Sequence, residues 1–402
     1  MTAVNAPARA IGAVAAIAVL AATLARPVAA QAVPLPGTGL DVARAASVQR
    51  QVPNLAGKVL TVLGPVDPST IGPTLMHEHI FINFQSPRPR PQRGNVSGPF
   101  EDPLTLDNAY AVRYGRGGAR GTDFLGNFDV MYKEVMDYKT FGGQAIVDVS
   151  SIGLGRDPMG LVRMANATGL SIVMGASWYT KQYHPLDMDQ RTVEQLTDEI
   201  VRDVTVGVQG TTVRSGIIGE IGIDGGPLTP NELKVIRASA RAGRITGAPI
   251  TFHAGGVNEE RLTTIGTSLS EGIAPQQIIM GHSGALTPNM PLLRRMFEKG
   301  VYIQIDWLGV ATGPDGILGN RSDRTIASAI VEMIRWGYAD RILLSHDICT
   351  KPQLKEYGGT GFSYILEYFV PELRRQGVSE ENVRKIVIEN PRRALTFRAP
   401  KP

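Results

Sequence analysis

Eight short apolar segments recur along this sequence, and helical patterns separate them. Each is a nearly continuous apolar run, as expected for a strand that a parallel sheet buries on both faces. The runs span residues 74–82, 144–149, 170–175, 215–223, 248–253, 277–282, 300–306 and 341–347. Eight β units, each followed by a helix, predict an α/β fold of the (β/α)8 TIM-barrel type.

Helix-start signals support this pattern. Residues 229–232 read Thr-Pro-Asn-Glu, which predicts a threonine N-cap, a proline at the first helical position and a glutamate three residues after the cap. Residues 287–289 (Thr-Pro-Asn) and 157–158 (Asp-Pro) are predicted to open two further helices in a related way.

Two segments lie outside the repeating pattern, one before its first strand and one directly after that strand. Residues 58–63 alternate like a strand and Gly64-Pro65 turns them, which predicts a small hairpin that closes the bottom of the barrel. From Phe84 to about Gly126 the chain is rich in Pro, Gly and Arg. Long loops inside compact domains are usually functional, so we expect a lid or rim loop after the first barrel strand.

The N-terminus is typical of an exported protein. Arg9 precedes an apolar, Ala-rich run from Ile11 to Leu24, and Val28-Ala29-Ala30 suits a signal peptidase. A membrane anchor is the alternative, but the run is shorter than the roughly 20 residues of a spanning helix. We therefore predict a signal peptide at 1–30, a mature chain from about Gln31, a secreted or periplasmic location and no stable membrane span after cleavage. Residues 31–56 are expected to form a linker or arm, and residues 57–402 the barrel.

Charge and cysteine content limit the classes of function. The formal charge of +4 falls to +2 once Arg9 and Arg26 are removed with residues 1–30, so no nucleic-acid partner is predicted. A single cysteine, Cys349, excludes an internal disulfide. Its surroundings favour packing near a site over a role as nucleophile.

Histidines and an aspartate stand at the ends of several predicted strands. The chain has six His in total. His77 and His79 lie two apart on an extended segment and therefore project from one face. His253 and His282 each end an apolar run, and a third run ends in His346-Asp347. A lone His-x-His pair can be purely structural, but imidazoles and a carboxylate at successive strand ends suit a divalent transition metal.

A carboxylate that bridges two ions is predicted on the fourth strand. Glu220 is flanked by apolar residues, and isolated acids are almost never fully buried unless they are paired or bound to a cation. A structural ion pair is the alternative for Glu220. Asp224 on the same strand is the weaker rival because it stands in a Gly-rich loop.

The segments 72–79, 217–222, 251–253, 281–282 and 345–347, in this order, resemble the phosphotriesterase-like family of the amidohydrolase superfamily. The resemblance covers about residue 57 to the C-terminus. It implies that His77, His79 and Asp347 hold a more buried metal, that His253 and His282 hold a more exposed one, and that an acid bridges both. Two divalent ions are expected, zinc first, with manganese, cobalt or iron as alternatives.

Departures from the family pattern narrow the expected substrate. The bridging strand has no lysine to carboxylate, the nearest being Lys234 on the following helix, so the chain is most similar to glutamate-bridged phosphotriesterase homology proteins. Organophosphate-degrading members carry an Asp and a His as a proton relay where this chain has Ala285 and Trp307. The expected substrate is therefore a small lactone or carboxylic ester, with a phosphotriester as the alternative.

The resemblance also implies a mechanism. Two ions bridged by Glu220 would lower the pKa of a shared water from about 15.7 toward 7 and generate a bridging hydroxide. Asp347 is the expected catalytic acceptor of its proton. Asp306 is left between orienting the pocket and a structural role. The loop after strand three supplies side chains that either line the pocket or pack against the rim: Trp178, Tyr179, Tyr183 and His184.

Two classes of function remain open from the sequence. The first is a metal-dependent hydrolase acting on ester bonds, for which the intact ligand set is evidence. The second is a metal-bound binding protein without turnover, which the missing relay favours. A homodimer is left open.

Overall fold

The computed structural model of this chain describes residues 52–84, 99–113, 118–309 and 322–401. The chain divides into two compact units, Met1–Arg50 and Gln51–Pro402, and every described residue belongs to the second. The predicted signal peptide (1–30) and most of the predicted linker (31–56) therefore lie outside the described residues.

All eight predicted barrel strands are present, together with six additional short strands. In chain order the strands are β1 Val59–Thr61, β2 Gly64–Val66, β3 Thr74–Glu78, β4 Ile82–Asn83, β5 Pro99–Pro103, β6 Gly118–Arg120, β7 Phe124–Leu125, β8 Ala145–Asp148, β9 Ser171–Met174, β10 Ile218–Ile223, β11 Ile250–Ala254, β12 Ile278–Met280, β13 Tyr302–Ile305 and β14 Ile342–Leu344. The barrel strands are β3 and β8 to β14.

Parallel pairing joins β3-β8-β9 into one sheet and β10 through β14 into another. Backbone hydrogen bonds connect the two sheets on both sides. The Gly219 N–H donates to the Ala176 carbonyl at 2.8 Å, beside β9 and β10, and the Asp347 N–H donates to the His77 carbonyl at 3.1 Å, beside β14 and β3. The eight parallel strands thus form a closed ring, which is the predicted TIM barrel.

Helices follow the barrel strands in the order that the sequence predicts. They are α1 Leu106–Arg113, α2 Phe128–Thr140, α3 Pro158–Thr168, α4 Val193–Thr205, α5 Pro230–Thr246, α6 Glu260–Ser270, α7 Met290–Glu298, α8 Asp323–Arg335, α9 Val370–Arg375, α10 Glu380–Arg384 and α11 Asn390–Leu395. Two π-helical segments, Ile365–Phe369 and Lys385–Glu389, lead directly into α9 and α11. No helix in these ranges combines the length and apolar composition that crossing a bilayer requires.

Capping confirms two of the three predicted helix starts and shifts the third. Thr229 accepts from the Glu232 N–H at 3.3 Å while Glu232 accepts from the Thr229 N–H at 2.7 Å, a reciprocal capping box at α5. Asp157 caps α3 as predicted. At α7 the cap is Asn289 instead of Thr287. Thr287 belongs to the end of the preceding 3-10 turn, with helical φ and ψ of −57° and −23°, and its hydroxyl donates to the Gly284 carbonyl of that turn at 3.0 Å.

The hairpin of β1 and β2 forms as predicted and covers the N-terminal ends of the barrel strands. The Val62 N–H donates to the carbonyl of Ile172, near the start of β9, at 2.8 Å. From the other side, the Phe397 N–H donates to the Lys58 carbonyl at 2.9 Å. The hairpin therefore closes the end of the barrel opposite to the strand termini that carry the histidines.

The segment after the first barrel strand has more structure than the predicted loop. Its described part contains α1 and the short strands β5, β6 and β7. β7 pairs antiparallel with β4, just beyond the end of β3. This pairing attaches the segment to the rim of the barrel at the end where chemistry is expected.

Candidate metal centre

His77 and His79 leave the C-terminal end of β3 and are both buried. The His77 Nε2 lies 3.1 Å from Oε2 of Glu220, and the His79 Nε2 lies 3.3 Å from Oε1 of the same carboxylate. Both rings thus reach one acid from the same side of the strand. The sequence predicted this shared orientation.

Glu220 lies at the centre of the cluster. It sits within β10 with 2% of its surface exposed. Besides His77 and His79, its carboxylate reaches the His253 Nδ1 at 3.2 Å through Oε2. Asp224, the predicted rival, lies just after β10 and is exposed, and its backbone N–H donates to Glu232 in the α5 cap. The geometry therefore favours Glu220 for the bridging position.

His253 and His282 approach each other closely at the ends of β11 and β12. The His253 Nδ1 lies 2.6 Å from the His282 Nε2. Two nitrogens can approach this closely only with a proton or a cation between them. The side chain of His253 is 18% exposed, whereas that of His282 is fully buried. Of the two histidines predicted to hold the more exposed metal, His253 is therefore the one that is open to solvent.

Asp347 follows β14 and completes the cluster. Its Oδ1 lies 3.3 Å from the His79 Nε2 and 3.8 Å from the His77 Nε2. Its Oδ2 accepts a hydrogen bond from the Trp307 indole N–H at 2.6 Å. The two oxygens of Asp347 thus face different neighbours.

Left-handed backbone conformations concentrate at this end of the barrel. His282, Trp307 and Asp347 have φ values of 51°, 63° and 59°. Such conformations cost of order 1–3 kcal/mol in non-glycine residues and persist where surrounding contacts enforce them. Their presence at three adjacent strand ends indicates that the side-chain positions here are imposed by contacts.

Hydrogen bonds fix the tautomers of two histidines. The Ser150 hydroxyl donates to the Phe81 carbonyl at 2.8 Å, so its oxygen accepts from the His79 Nδ1–H at 2.9 Å. Asp306 can only accept, so the His282 Nδ1–H donates to its Oδ1 at 2.9 Å. When these rings are neutral, both Nε2 atoms carry lone pairs that face the carboxylates of Glu220 and Asp347.

The pKa shifts reflect this concentration of negative charge. Burial acts to lower the pKa values of His77 and His79, but the nearby carboxylates outweigh it and raise them to about 9 and about 10. Burial acts to raise the pKa values of Glu220 and Asp347, and the surrounding histidines instead hold both well below their ordinary range. Burial and the neighbouring His282 lower the pKa of His253.

The donor set fits divalent metal ions. Three triads have ligand atoms within 4.8 Å of one another: His77, His79, Glu220; His77, His282, Asp347; and Glu220, His253, His282. Imidazole nitrogens and carboxylate oxygens are ligands of zinc, manganese, cobalt and iron. Lone pairs that converge from two fixed tautomers onto two buried carboxylates repel one another unless a cation or proton lies between them. The predicted ligands, His77, His79, Glu220, His253, His282 and Asp347, are thus all brought together.

The predicted pocket-wall residues divide into two groups. Trp178 is fully buried in the main hydrophobic core, and His184 is buried with its Nε2–H bonded to the Tyr179 carbonyl at 2.9 Å. These two side chains pack instead of lining a pocket. Tyr179 and Tyr183 are partly buried, and the Tyr179 hydroxyl lies 3.2 Å from the His253 Nδ1. The tyrosines therefore border the open side of the centre.

The structure indicates an orienting role for Asp306 and a packing role for Cys349. Asp306 accepts from both the backbone N–H and the ring Nδ1–H of His282, at 2.8 and 2.9 Å, which orients that ring. Burial raises the pKa of the Cys349 thiol well above its usual range, which agrees with packing and not with nucleophilic chemistry.

Sequence reasoning did not assign three residues that hold the cluster: Ser150, Glu78 and Arg261. Glu78 is an acid in an apolar segment, the same signal that identified Glu220. Its Oε1 accepts from the Ser345 hydroxyl at 2.7 Å and from the backbone and ring of His346 at 2.8 Å each. No local pattern distinguishes Ser150 or Arg261, because their partners come from other strands.

Comparison with known proteins places this geometry in context. The sequence model of the phosphotriesterase family matches residues 57–395. An N-acetyltaurine hydrolase of Xenopus tropicalis is 34% identical over 352 residues, which are 86% of this chain and 99% of that protein. The human N-acetyltaurine hydrolase is 33% identical over 353 residues, with the same coverage.

Solved structures show the same barrel. A resiniferatoxin-binding protein from Rhodobacter sphaeroides superposes with a TM-score of 0.78 at 31% identity, covering 85% of this chain and 96% of its own. A phosphotriesterase homology protein from Escherichia coli, solved with phosphate in its active site, gives 0.67 at 25% identity, covering 81% of this chain and 99% of its own. A lactonase from Listeria monocytogenes gives 0.67 at 24% identity, covering 85% and 99%, and shows the common fold.

Proposed function

This chain belongs to the phosphotriesterase family, and on that premise we propose that it is a metal-dependent hydrolase that cleaves an acyl bond of a small molecule. One observation carries the proposal. Four histidines and two carboxylates from five barrel strands converge within hydrogen-bonding distance at the C-terminal strand ends. That end of a TIM barrel is where active sites lie.

The bond that we propose is an N-acyl amide, with a lactone or carboxylic ester as the alternative. Sequence reasoning favoured the ester. The amide now ranks first because N-acetyltaurine hydrolases match this chain over 99% of their own length. An amide nitrogen must be protonated to leave, so the site needs a group that retains a proton close to the scissile bond.

The residues of the centre have distinct proposed roles. His77, His79 and Asp347 would hold one divalent ion, His253 and His282 a second, and Glu220 would contact both. When bound, such ions supply a nucleophilic water at neutral pH and polarise the substrate carbonyl. Glu220 suits its role because its two oxygens already face different histidines, Oε1 toward His79 and Oε2 toward His77 and His253.

Asp347 is the proposed proton carrier. Its Oδ1 faces His79, so Oδ2 is the oxygen that would take the proton of the attacking water and return it to the leaving nitrogen or oxygen. Trp307 holds Oδ2 with an indole N–H, which donates only and cannot accept that proton. Asp347 would therefore keep the proton for the leaving group.

Phosphotriester hydrolysis receives less support. Aryl leaving groups of phosphotriesters depart as anions and need no proton, so a relay that carries the proton to solvent suits them. The two relay positions here hold Ala285 and Trp307, neither of which titrates.

A metal-holding binding protein without turnover is the second candidate. The resiniferatoxin-binding protein, 31% identical to this chain, is named for binding, and the absent relay points in the same direction. This candidate predicts metal uptake without hydrolysis of any acyl substrate.

The decisive experiment is a turnover assay of protein loaded with zinc or manganese. The substrates are N-acetyltaurine, other N-acyl amines, lactones, aryl acetates and an aryl dialkyl phosphate. We expect hydrolysis of the amides that a chelator abolishes. Glu220→Gln should lose at least one ion and at least about a hundredfold in rate, since the Oε charge that offsets two cations is gone. The matched control, Asp224→Asn, should keep both ions and the rate. Metal uptake without turnover would support the binding protein instead.

A further inference from the structure

Arg261 is a fully buried arginine on the first turn of α6, with 1% of its surface exposed. Its guanidinium donates to four backbone carbonyls. Nε bonds the carbonyl of Gly256 at 2.6 Å, and Nη1 bonds that of Gly281 at 2.7 Å. Nη2 bonds the carbonyls of Ala254 at 2.5 Å and His282 at 3.2 Å.

The buried charge of Arg261 has no carboxylate partner within ion-pair distance among the described residues. Burial lowers the pKa of the guanidinium to about 10, although Asp306 and Glu260 act in the opposite direction from further away. A buried cation is costly unless hydrogen bonds compensate it. The carbonyls of two strand ends are therefore what keeps this side chain in place.

Those carbonyls adjoin the second pair of histidines. Ala254 follows His253, and Gly281 precedes His282. The parallel ladder between β11 and β12 ends at the pair Phe252 and Met280, followed by one bond from the Gly281 N–H to the Phe252 carbonyl at 3.0 Å. Beyond that bond, the contacts described between the two segments run through the histidine rings and through Arg261.

His282 particularly needs such support. Its φ of 51° is left-handed, which turns its carbonyl out of the strand ladder. Arg261 takes that carbonyl and the preceding one, while Asp306 takes the His282 N–H at 2.8 Å. The strained residue is thus held from both sides of its peptide plane.

We infer that Arg261 is the positioning residue of the second half of the centre: it holds the strand ends that carry His253 and His282 at the separation at which both rings reach one ion. This inference rests on the proposed two-metal function. Arginine suits the task because its planar fork presents five N–H donors in fixed directions, whereas lysine offers a single flexible ammonium. The other half of the centre is held by different groups, Ser150 and Glu78.

The test is cobalt(II) uptake by the full-length chain, measured by equilibrium dialysis and by the visible absorption of bound cobalt. Arg261→Lys keeps the charge and loses the fork. Arg294→Lys is the matched control, because Arg294 is exposed and its charge pairs with that of Glu298, one turn away at 3.7 Å, far from the candidate centre. We expect the wild type and the control to bind two ions. Arg261→Lys should bind the first ion normally and the second at least about tenfold more weakly, the range for residues that support metal ligands.

The outcomes separate this inference from the proposed function. Unchanged affinity for both ions in Arg261→Lys, or equal weakening of both, would overturn it while leaving the hydrolase proposal intact. Failure of the wild type to bind two ions would overturn the two-metal site itself. Histidine ring resonances in the metal-free protein repeat the test without an ion: shifts confined to His253 and His282 support the inference, and their absence contradicts it. If Arg261→Lys does not fold, Arg261→Gln replaces it in the same measurements.

Discussion

At the scale of single residues, Trp307 connects the two halves of the centre. Its indole N–H bonds Asp347 at 2.6 Å, and its ring stacks on His282 with centroids 4.5 Å apart and planes 18° apart. Trp307 therefore fixes the position of Asp347, the proposed proton carrier, relative to the His282 ring. Its backbone at this position is left-handed, with a φ of 63°.

Trp307→Phe should keep the stacking and remove the donor. A hydrogen bond to a charged group contributes about 1.5–3 kcal/mol. We therefore expect kcat for the best acyl substrate to fall about tenfold or more, with metal content unchanged. Steady-state kinetics and elemental analysis measure both quantities. Trp336→Phe, which alters a partly buried tryptophan at the C-terminal end of α8 beside Arg294, is the control and should leave kcat unchanged. An unchanged kcat in Trp307→Phe would remove Trp307 from the proposed mechanism.

The metal-free protein should lose stability as the pH rises. The pKa values of His77 and His79 are about 9 and about 10 in the folded chain, above the unfolded value of about 6.5. Protonation of the two rings therefore stabilises the fold fully below pH about 6.5, and this contribution disappears as the pH passes through about 9 and about 10. Metal-loaded protein should not show this decline, because metals bind the deprotonated rings.

Chemical denaturation of chelator-treated and metal-loaded protein across this pH range measures the difference. The free energy of unfolding should fall with pH only in the chelated sample. A flat profile in that sample would mean that the carboxylates do not hold protons on these rings.

At the scale of secondary-structure elements, Glu78 joins the first and last barrel strands. Beyond its bonds to Ser345 and His346, its Oε2 accepts from the Ile348 N–H at 2.8 Å. The segment that follows β14 and carries Asp347 is therefore held to β3 by this carboxylate, in addition to the backbone bonds of the Asp347 N–H to the His77 carbonyl and of the His79 N–H to the Ile348 carbonyl. The closure of the barrel and the position of a proposed ligand depend on the same contact.

Glu78→Gln should weaken this closure, because the amide places an N–H2 group against backbone or ring donors. We expect the free energy of unfolding to fall by about 3 kcal/mol, the scale for charged hydrogen bonds lost in a buried site. Thermal and denaturant unfolding measure the change. Glu298→Gln, whose partner is the exposed Arg294, should cost less than about 1 kcal/mol. Equal effects of both substitutions would show that Glu78 carries no special share of stability.

At the scale of the whole molecule, the two ends of the barrel have separate tasks. The β1–β2 hairpin and the chain near Phe397 cover the N-terminal ends of the strands. The candidate metal centre occupies the opposite end, beside the rim segment that β4 and β7 attach. Residues 1–30 are proposed to be needed only for export.

If the chain is exported, the mature protein should have one defined N-terminus. Mass spectrometry of chain recovered from the envelope or medium of its native host should show an N-terminus near Gln31, because the small residues 28–30 suit signal peptidase. Chain that keeps Met1 and resides in the cytoplasm would contradict the proposed location. A retained N-terminus in the membrane fraction would favour the anchor instead.

The sequence alone determined the eight strands, two of the three helix starts that it predicted, and the set of His, Glu and Asp side chains that converge. Buried parallel strands appear as continuous apolar runs, and a metal centre at strand ends needs residue types that are rare in such runs. The local signal failed at Thr287: its sequence context resembles a cap, but the residue ends a 3-10 turn in a helical conformation and Asn289 caps the helix.

Only the tertiary structure decided how the ligands are held. Glu78 and His346 are 268 residues apart in the chain, and Ser150 and His79 are 71 apart. Arg261 likewise meets carbonyls from two different strand ends. A local pattern records which element a residue belongs to, whereas these contacts arise from strands placed side by side when the barrel closes. The tautomers, the strained backbone at His282 and the burial of Trp178 follow from that closure.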